Sequence, residues 1–210
     1  TRVPARFFSE VIMNSEQLRK FCSKNDPRTY LLNPIRRDGS LYATNGHIMV
    51  CIPDNPEIEA AESDIPSFCK FKESVNEKEF SAFVAPDMPE PTKCKCCTNG
   101  KVNKCPDCDG DGSFEHGDYE YECKNCDELG FVDVGYGESG DMDCPECNGT
   151  GFSQFDTAKI GSSHFATKYI RMLIELSDVQ IWTDSEKQNS TAFFKFDGGW
   201  GAIMPCRPRN

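Results

Sequence analysis

Eight cysteines between residues 94 and 147 fall into four C-x-x-C pairs: Cys94/Cys97, Cys105/Cys108, Cys123/Cys126 and Cys144/Cys147. A ninth, Cys96, sits inside the first pair. Two pairs run on into the same glycine pattern, Cys108-Asp109-Gly110-Asp111-Gly112 and Cys147-Asn148-Gly149-Thr150-Gly151. The third keeps only the second glycine, Gly130. The first keeps neither in register, and its Gly100 follows Cys97 by three residues. Two thiolates three residues apart can hold one zinc ion from a tight turn, and two such turns complete a tetrahedral site. Glycines just past the second sulfur let the backbone turn with positive φ. Eight thiolates therefore predict two structural Zn2+ ions. Four-cysteine sites are closed, with no position for a reactive water.

The competing chemistry is four disulfides. C-x-x-C pairs suit a stapling framework poorly, and nothing marks the chain as secreted. Spacing alone allows sequential or nested pairing of the four turns, leaves Cys96 as a rival to Cys94 or Cys97, and leaves His116 as a substitute ligand.

This stretch resembles the cysteine-rich domain of DnaJ-type co-chaperones, which carries four C-x-x-C-x-G-x-G repeats. The resemblance covers about a quarter of the chain. It implies nested pairing: Cys94, Cys97, Cys144 and Cys147 on one zinc, and Cys105, Cys108, Cys123 and Cys126 on the other. The His-Pro-Asp signature of a J-domain is absent from the sequence, so a full co-chaperone is not expected.

Net charge is −11 over 210 residues, and it is unevenly placed. Between Lys93 and Phe155 there are 5 Lys against 14 Asp plus Glu. A zinc module that binds nucleic acid should be basic, so this one is expected to meet protein. No apolar run approaches the roughly 20 residues that span a bilayer, and the N-terminus lacks a signal-peptide core. No membrane partner and a reducing, cytoplasmic setting are expected. Cys22, Cys51, Cys69 and Cys206 lie among apolar residues and are expected to act as small buried hydrophobes.

The flanks of the cysteine stretch carry patterns for α and β elements. An edge strand is expected within residues 7–13, then a helix over 16–24 capped by Asn14 or Ser15, with Leu18, Phe21 and Cys22 as its apolar stripe. Strands are expected at 29–32, 41–44 and 47–52, with Asn45-Gly46 as the hairpin turn. A loop over 53–67 precedes two more strands at 68–71 and 80–84, and Pro86, Pro89 and Pro91 mark a linker. Further on, Gly161 to Ser163 would cap a helix over 164–176, with Phe165, Tyr169, Met172, Leu173 and Leu176 on one face. Strands at 179–183, 191–196 and 200–204 follow, the last two joined by Asp197-Gly198-Gly199. Neither flank has the apolar content to fold alone. One discontinuous α+β domain, 1–88 with 156–210, is expected, interrupted by an insertion over 89–155.

The flanks are similar to a domain of bacterial β-type DNA sliding clamps. The residues concerned are Arg28-Thr29-Tyr30-Leu31-Leu32-Asn33 and Gly39-Ser40-Leu41-Tyr42-Ala43-Thr44-Asn45-Gly46-His47, where clamps commonly have Ala-Thr-Asp-Gly-His-Arg. Ile203-Met204-Pro205-Cys206-Arg207 is similar to the Met-Pro-Met-Arg clamp ending. The resemblance implies two helices and two antiparallel sheets related by a pseudo-twofold, with the helices facing DNA. Arg19, Lys20 and Lys24 on the first helix and Lys168 and Arg171 on the second would then be DNA-contact candidates. Clamp rings contain six such domains. This chain has one, so it would self-associate or pair with another clamp-like chain.

Together these patterns imply a non-enzymatic accessory protein of DNA replication or recombination whose acidic zinc module binds a protein partner. A chaperone-like adaptor that binds polypeptide through the module is the alternative. A compact chain with a borrowed finger also suggests a phage origin. No G-x-S-x-G, H-E-x-x-H or phosphate-binding glycine loop is present. His47, His116 and His164 are scattered, and no catalytic residue is expected.

Overall fold

The computed structural model describes residues 13–62, 68–135, 140–154 and 156–207. In chain order its elements begin with helix α1 (Ser15–Arg19), a 3-10 turn (Thr29–Leu31), and strands β1 (Ile35–Arg37), β2 (Ser40–Thr44), β3 (Ile48–Pro53) and β4 (Ala61–Glu62). Helix α2 (Phe68–Asn76) and β5 (Ser81–Ala82) follow. The cysteine stretch holds β6 (Lys101–Lys104), β7 (Ser113–His116), β8 (Tyr119–Glu122), β9 (Phe131–Asp133) and β10 (Met142–Asp143). The chain closes with β11 (Thr157–Ile160), β12 (Ser163–Ala166), helix α3 (Thr167–Ile174), β13 (Gln180–Trp182), β14 (Ala192–Phe196) and β15 (Gly199–Ile203). These fall into two compact units, 1–88 with 157–210 (the body) and 89–156 (the cysteine unit).

The body is built on one eight-stranded sheet in the order β4-β1-β2-β3-β15-β14-β13-β5. All its pairings are antiparallel except β1 with β4. Successive side chains on a strand point to opposite faces, and here both faces are covered. Ile48, Val50 and Ile52 of β3 join Phe194, Phe196 and Ile203 against Leu18 and Phe21 near α1 and Ile170 and Leu173 of α3. Met49 and Cys51 of the same strand join Tyr42, Phe193 and Ala202 on the other face, packed by Phe71 and Val75 of α2. A helix followed by a three-stranded meander occurs twice, as α1 with β1-β2-β3 and as α3 with β13-β14-β15. The two meanders meet where β3 pairs with β15.

Several expected elements take a different form. The first helix stops at Arg19 because Phe21 N–H and Cys22 N–H bond three residues back, to Leu18 and Arg19, and Ser23 N–H donates to Leu31 O at 2.7 Å. Its start is as expected: Asn14 Oδ1 accepts from Gln17 N–H while Gln17 Oε1 accepts from Asn14 N–H, both at 2.9 Å. The segment expected as a strand at 29–32 is a 3-10 turn closed by Leu31 N–H to Arg28 O and Leu32 N–H to Thr29 O. The strand expected at 68–71 is α2, giving three helices among the described residues instead of two, and β4 lies inside the expected loop 53–67. The second helix begins at Thr167, because Gly161-Ser162 turns a β11–β12 hairpin and does not cap a helix. Among the described residues the body has one sheet of eight strands and one of two, where the resemblance implies two antiparallel sheets. Most of the strand expected within 7–13 lies outside the described residues. Among the described residues no helix is long and apolar enough to cross a membrane.

Candidate metal centres

Each C-x-x-C pair forms a knuckle, and the knuckles associate first with fourth and second with third. Sulfurs of Cys94, Cys97, Cys144 and Cys147 lie within 4.8 Å of one another, as do those of Cys105, Cys108, Cys123 and Cys126. All eight are buried except Cys94, which is half-buried. The twelve cysteines whose side chains are described form no disulfide.

Backbone hydrogen bonds impose the nesting, and they are reciprocal. In the inner site, Cys105 N–H donates to Gly130 O at 2.9 Å and Cys123 N–H donates to Gly112 O at 2.8 Å. In the outer site, Cys94 N–H donates to Gly151 O at 2.9 Å and Cys144 N–H to Gly100 O at 2.8 Å. Each knuckle thus offers its first cysteine's N–H to a glycine carbonyl of its partner. Sequence register made Gly100 look misplaced, yet it performs the role that Gly112, Gly130 and Gly151 perform elsewhere. Its φ is +83°, and a Cβ there would collide with the carbonyl oxygen of Gly149. A Cβ on Gly112 would likewise strike the carbonyl oxygen of Glu128.

The donor set fits a metal ion. A zinc ion with Zn–S bonds of about 2.3 Å in tetrahedral geometry needs sulfurs about 3.8 Å apart. Cys105 and Cys123 are 3.8 Å apart, Cys108 and Cys126 3.8 Å, and Cys97 and Cys147 3.6 Å. Sulfurs also receive N–H groups suited to thiolate charge: Gly112 donates to Cys108 at 3.2 Å, Gly130 to Cys126 at 3.3 Å and Gly151 to Cys147 at 3.2 Å. Burial alone would raise the Cys105 thiol, but N–H groups of Cys108 and Asp107 outweigh it and bring it down to about 7. Burial pushes Cys126 up to about 12 despite its bond from Gly130, and burial and neighbouring sulfurs also push up Cys97. Four sulfurs in contact resist ionising together, and a central divalent cation removes that resistance.

β6 spans the four residues between Gly100 of the outer site and Cys105 of the inner one, and pairs with β9 and β10. Asp133 at the end of β9 accepts from Thr98 N–H at 2.6 Å and from Thr98 Oγ1 at 2.7 Å, fixing the outer knuckle to this small sheet. Those hydrogen bonds hold the Asp133 carboxyl below its usual range. Cys96 is half-buried and belongs to neither set of four. His116 lies exposed on β7 and also joins neither.

Elsewhere, Cys22 and Cys51 are buried in the body's core clusters, and burial pushes the Cys22 thiol up to about 11. Cys206 is half-buried, and the Cys69 side chain lies outside the described ones. Helices α1 and α3 share one face of the large sheet, and Lys20 Nζ lies 3.7 Å from Glu175 Oε2 between them. Arg19 bonds Asn33 Oδ1 at 3.2 Å and pairs with Glu59 at 3.4 Å. Lys168 is half-buried, its Nζ 5.1 Å from the Tyr169 ring centre, and burial lowers its pKa. Lys24 and Arg171 are exposed. Of the five candidates, two are therefore engaged by carboxylates and one is partly withdrawn from solvent. His47 stacks on Tyr169 with ring centres 6.0 Å apart, and His164 sits on β12.

No protein-family model, no curated protein and no solved structure matches this chain.

Proposed function

We propose that this chain is a non-catalytic accessory protein of DNA replication or recombination, with a sliding-clamp-like body and a DnaJ-type module that binds protein. The observation that carries the reading is the repeated helix-and-meander order of the body, with α1 and α3 side by side on one face of the sheet. The two sets of four cysteines hold one Zn2+ each: soft thiolates in a tetrahedral set of four suit zinc, and a closed site gives it a structural role. Each zinc with four thiolates adds two negative charges to a stretch already rich in carboxylates, which turns the module away from phosphates and toward protein.

A second reading, a polypeptide-binding adaptor without a DNA role, is favoured by the pairing of Arg19 and Lys20 with Glu59 and Glu175. Native mass spectrometry and duplex-DNA anisotropy on the purified protein separate the two. The first reading expects two zinc ions per chain, self-association, and DNA binding at about 50 mM salt that falls steeply as salt rises. It also expects Lys24→Glu with Arg171→Glu to weaken that binding about tenfold or more. A zinc-loaded monomer without DNA affinity leaves the adaptor.

A further inference from the structure

β7 and β8 form a two-stranded ribbon that grows out of the inner cysteine site, between Gly112 and Cys123. Its register sets Phe114 opposite Tyr121 and His116 opposite Tyr119, while Ser113 faces Glu122 and Glu115 faces Glu120. Because side chains alternate along a strand, the ribbon has two unlike faces. One carries Phe114, His116, Tyr119 and Tyr121. The other carries Ser113 and three glutamates, with Ser113 Oγ donating to Glu120 Oε1 at 2.7 Å.

The aromatic face lies open to solvent. Tyr119 is 71% exposed, and Phe114 and Tyr121 are 48% each. The Phe114 and Tyr121 rings stand 6.4 Å apart, only 20° from parallel. Neither edge of the ribbon pairs with another strand among the described residues. The fold does not need these rings for burial, because the cysteine site fixes the base of the ribbon through the Cys123 N–H to Gly112 O bond. Several large rings gathered on one open face mark an interaction surface.

Charge decides what that surface takes. From Asp107 to Glu128 there are nine carboxylates and one cation, Lys124. Lys124 is held by Glu122 at 2.6 Å. Phosphate-bearing or acidic ligands are repelled, and a neutral apolar segment leaves the carboxylates unanswered. A guanidinium meets both demands: its flat face stacks on an aromatic ring while its positive charge answers the acidic field of the surrounding carboxylates. The open edges can bond the main chain of an added strand. We propose that the β7–β8 ribbon is a docking surface for an extended, arginine-bearing segment of a partner protein, laid along Phe114, Tyr119 and Tyr121. This rests on the reading of the cysteine unit as a protein-binding module and names the chemistry of its partner.

The test uses the full-length, zinc-loaded protein and labelled peptides that alternate serine with arginine, with lysine or with leucine. The arginine peptide should bind most tightly. Phe114→Ala/Tyr119→Ala/Tyr121→Ala should weaken it about tenfold with zinc content unchanged. Glu115→Gln/Glu120→Gln should weaken it and flatten its salt dependence. Failure of the arginine peptide to bind, or a leucine peptide that binds as tightly, overturns the proposal. Equal binding by wild type and the aromatic triple variant also overturns it. In that last case, loss of binding on zinc removal means the module engages protein through another surface. Binding that persists without zinc sinks the module reading as well.

Discussion

In the body, apolar side chains fill both faces of an eight-stranded sheet, and three helices cover them. In the cysteine unit, the buried hydrophobics among the described residues are Val102, Phe131, Val134 and all the paired cysteines but Cys94. One unit orders itself by removing hydrocarbon from water. The other has almost no hydrocarbon to remove, and depends on sulfur geometry and on glycines that let paired backbones touch. The contrast teaches that nearly seventy residues can be specified by about a dozen, provided those dozen bring sulfurs together in two sets of four. It also explains why the cysteine unit can spend its other positions on charge and exposed rings.

The sharpest way to break this contrast is to remove the zinc proposed for the two cysteine sets. Structural zinc contributes roughly 10–16 kcal/mol to small zinc modules. A strong chelator should therefore abolish amide protection across residues 89–156 while β2, β3, β14 and β15 stay protected in hydrogen exchange. Cys108→Ser should do this for the inner site, halving the zinc content by elemental analysis. Collapse of protection in the body as well would show that the two units share one folding transition.

The converse change belongs in the body. Phe194 is fully buried between the sheet and the helices. Phe194→Ala should cost about 3–5 kcal/mol in denaturant unfolding with zinc content unaltered. Zinc loss in that variant would contradict independent ordering of the units.

The smallest effect concerns charge at the body's surface. Arg28 bonds the Asp26 carboxylate at 2.9 Å and holds its pKa at about 2, down from 3.8. A lowered folded pKa contributes stability that is present above about 3.8 and is lost as pH falls toward about 2. Asp26→Asn should thus be slightly less stable than wild type at neutral pH, and the gap should close in acid melts near pH 2. A gap independent of pH would assign the effect to hydrogen bonding alone.

Legibility in the sequence followed the range of the interactions. Each knuckle is local, so C-x-x-C with a trailing glycine was readable. The nesting is not local, and it came from family resemblance, because the bonds that enforce it join residues such as Cys94 and Gly151. The strong turn at Asp197-Gly198-Gly199 located β14 and β15. Asn45-Gly46 marked a turn of another kind: Thr44 pairs with Met49, and Asn45 Oδ1 accepts from His47 and Ile48 N–H across a four-residue loop. Helix α2 was misread because Phe68 and Phe71 look like a short apolar strand until Val75 completes a helical i, i+3, i+7 spacing. The aromatic ribbon was overlooked although its signal was present: Phe114 and His116, then Tyr119 and Tyr121, alternate around Gly117-Asp118.

At the root of the cysteine unit, Lys93 bridges Phe152, Ser153 N–H donates to Thr92 O at 2.7 Å, and Thr92 N–H donates to Asp156 Oδ2 at 2.9 Å. The chain therefore leaves and re-enters through a single stem. In polymer terms the 68 residues are a side branch, and the connection between the body's two segments, 1–88 and 157–210, is effectively the short route across the stem. A floppy connection of that length would cost about 2–3 kcal/mol more to close than a loop of a few residues. Once the stem is fastened that penalty vanishes, so the branch can lengthen, shed segments or change its surface without altering the topology that the two meanders must find.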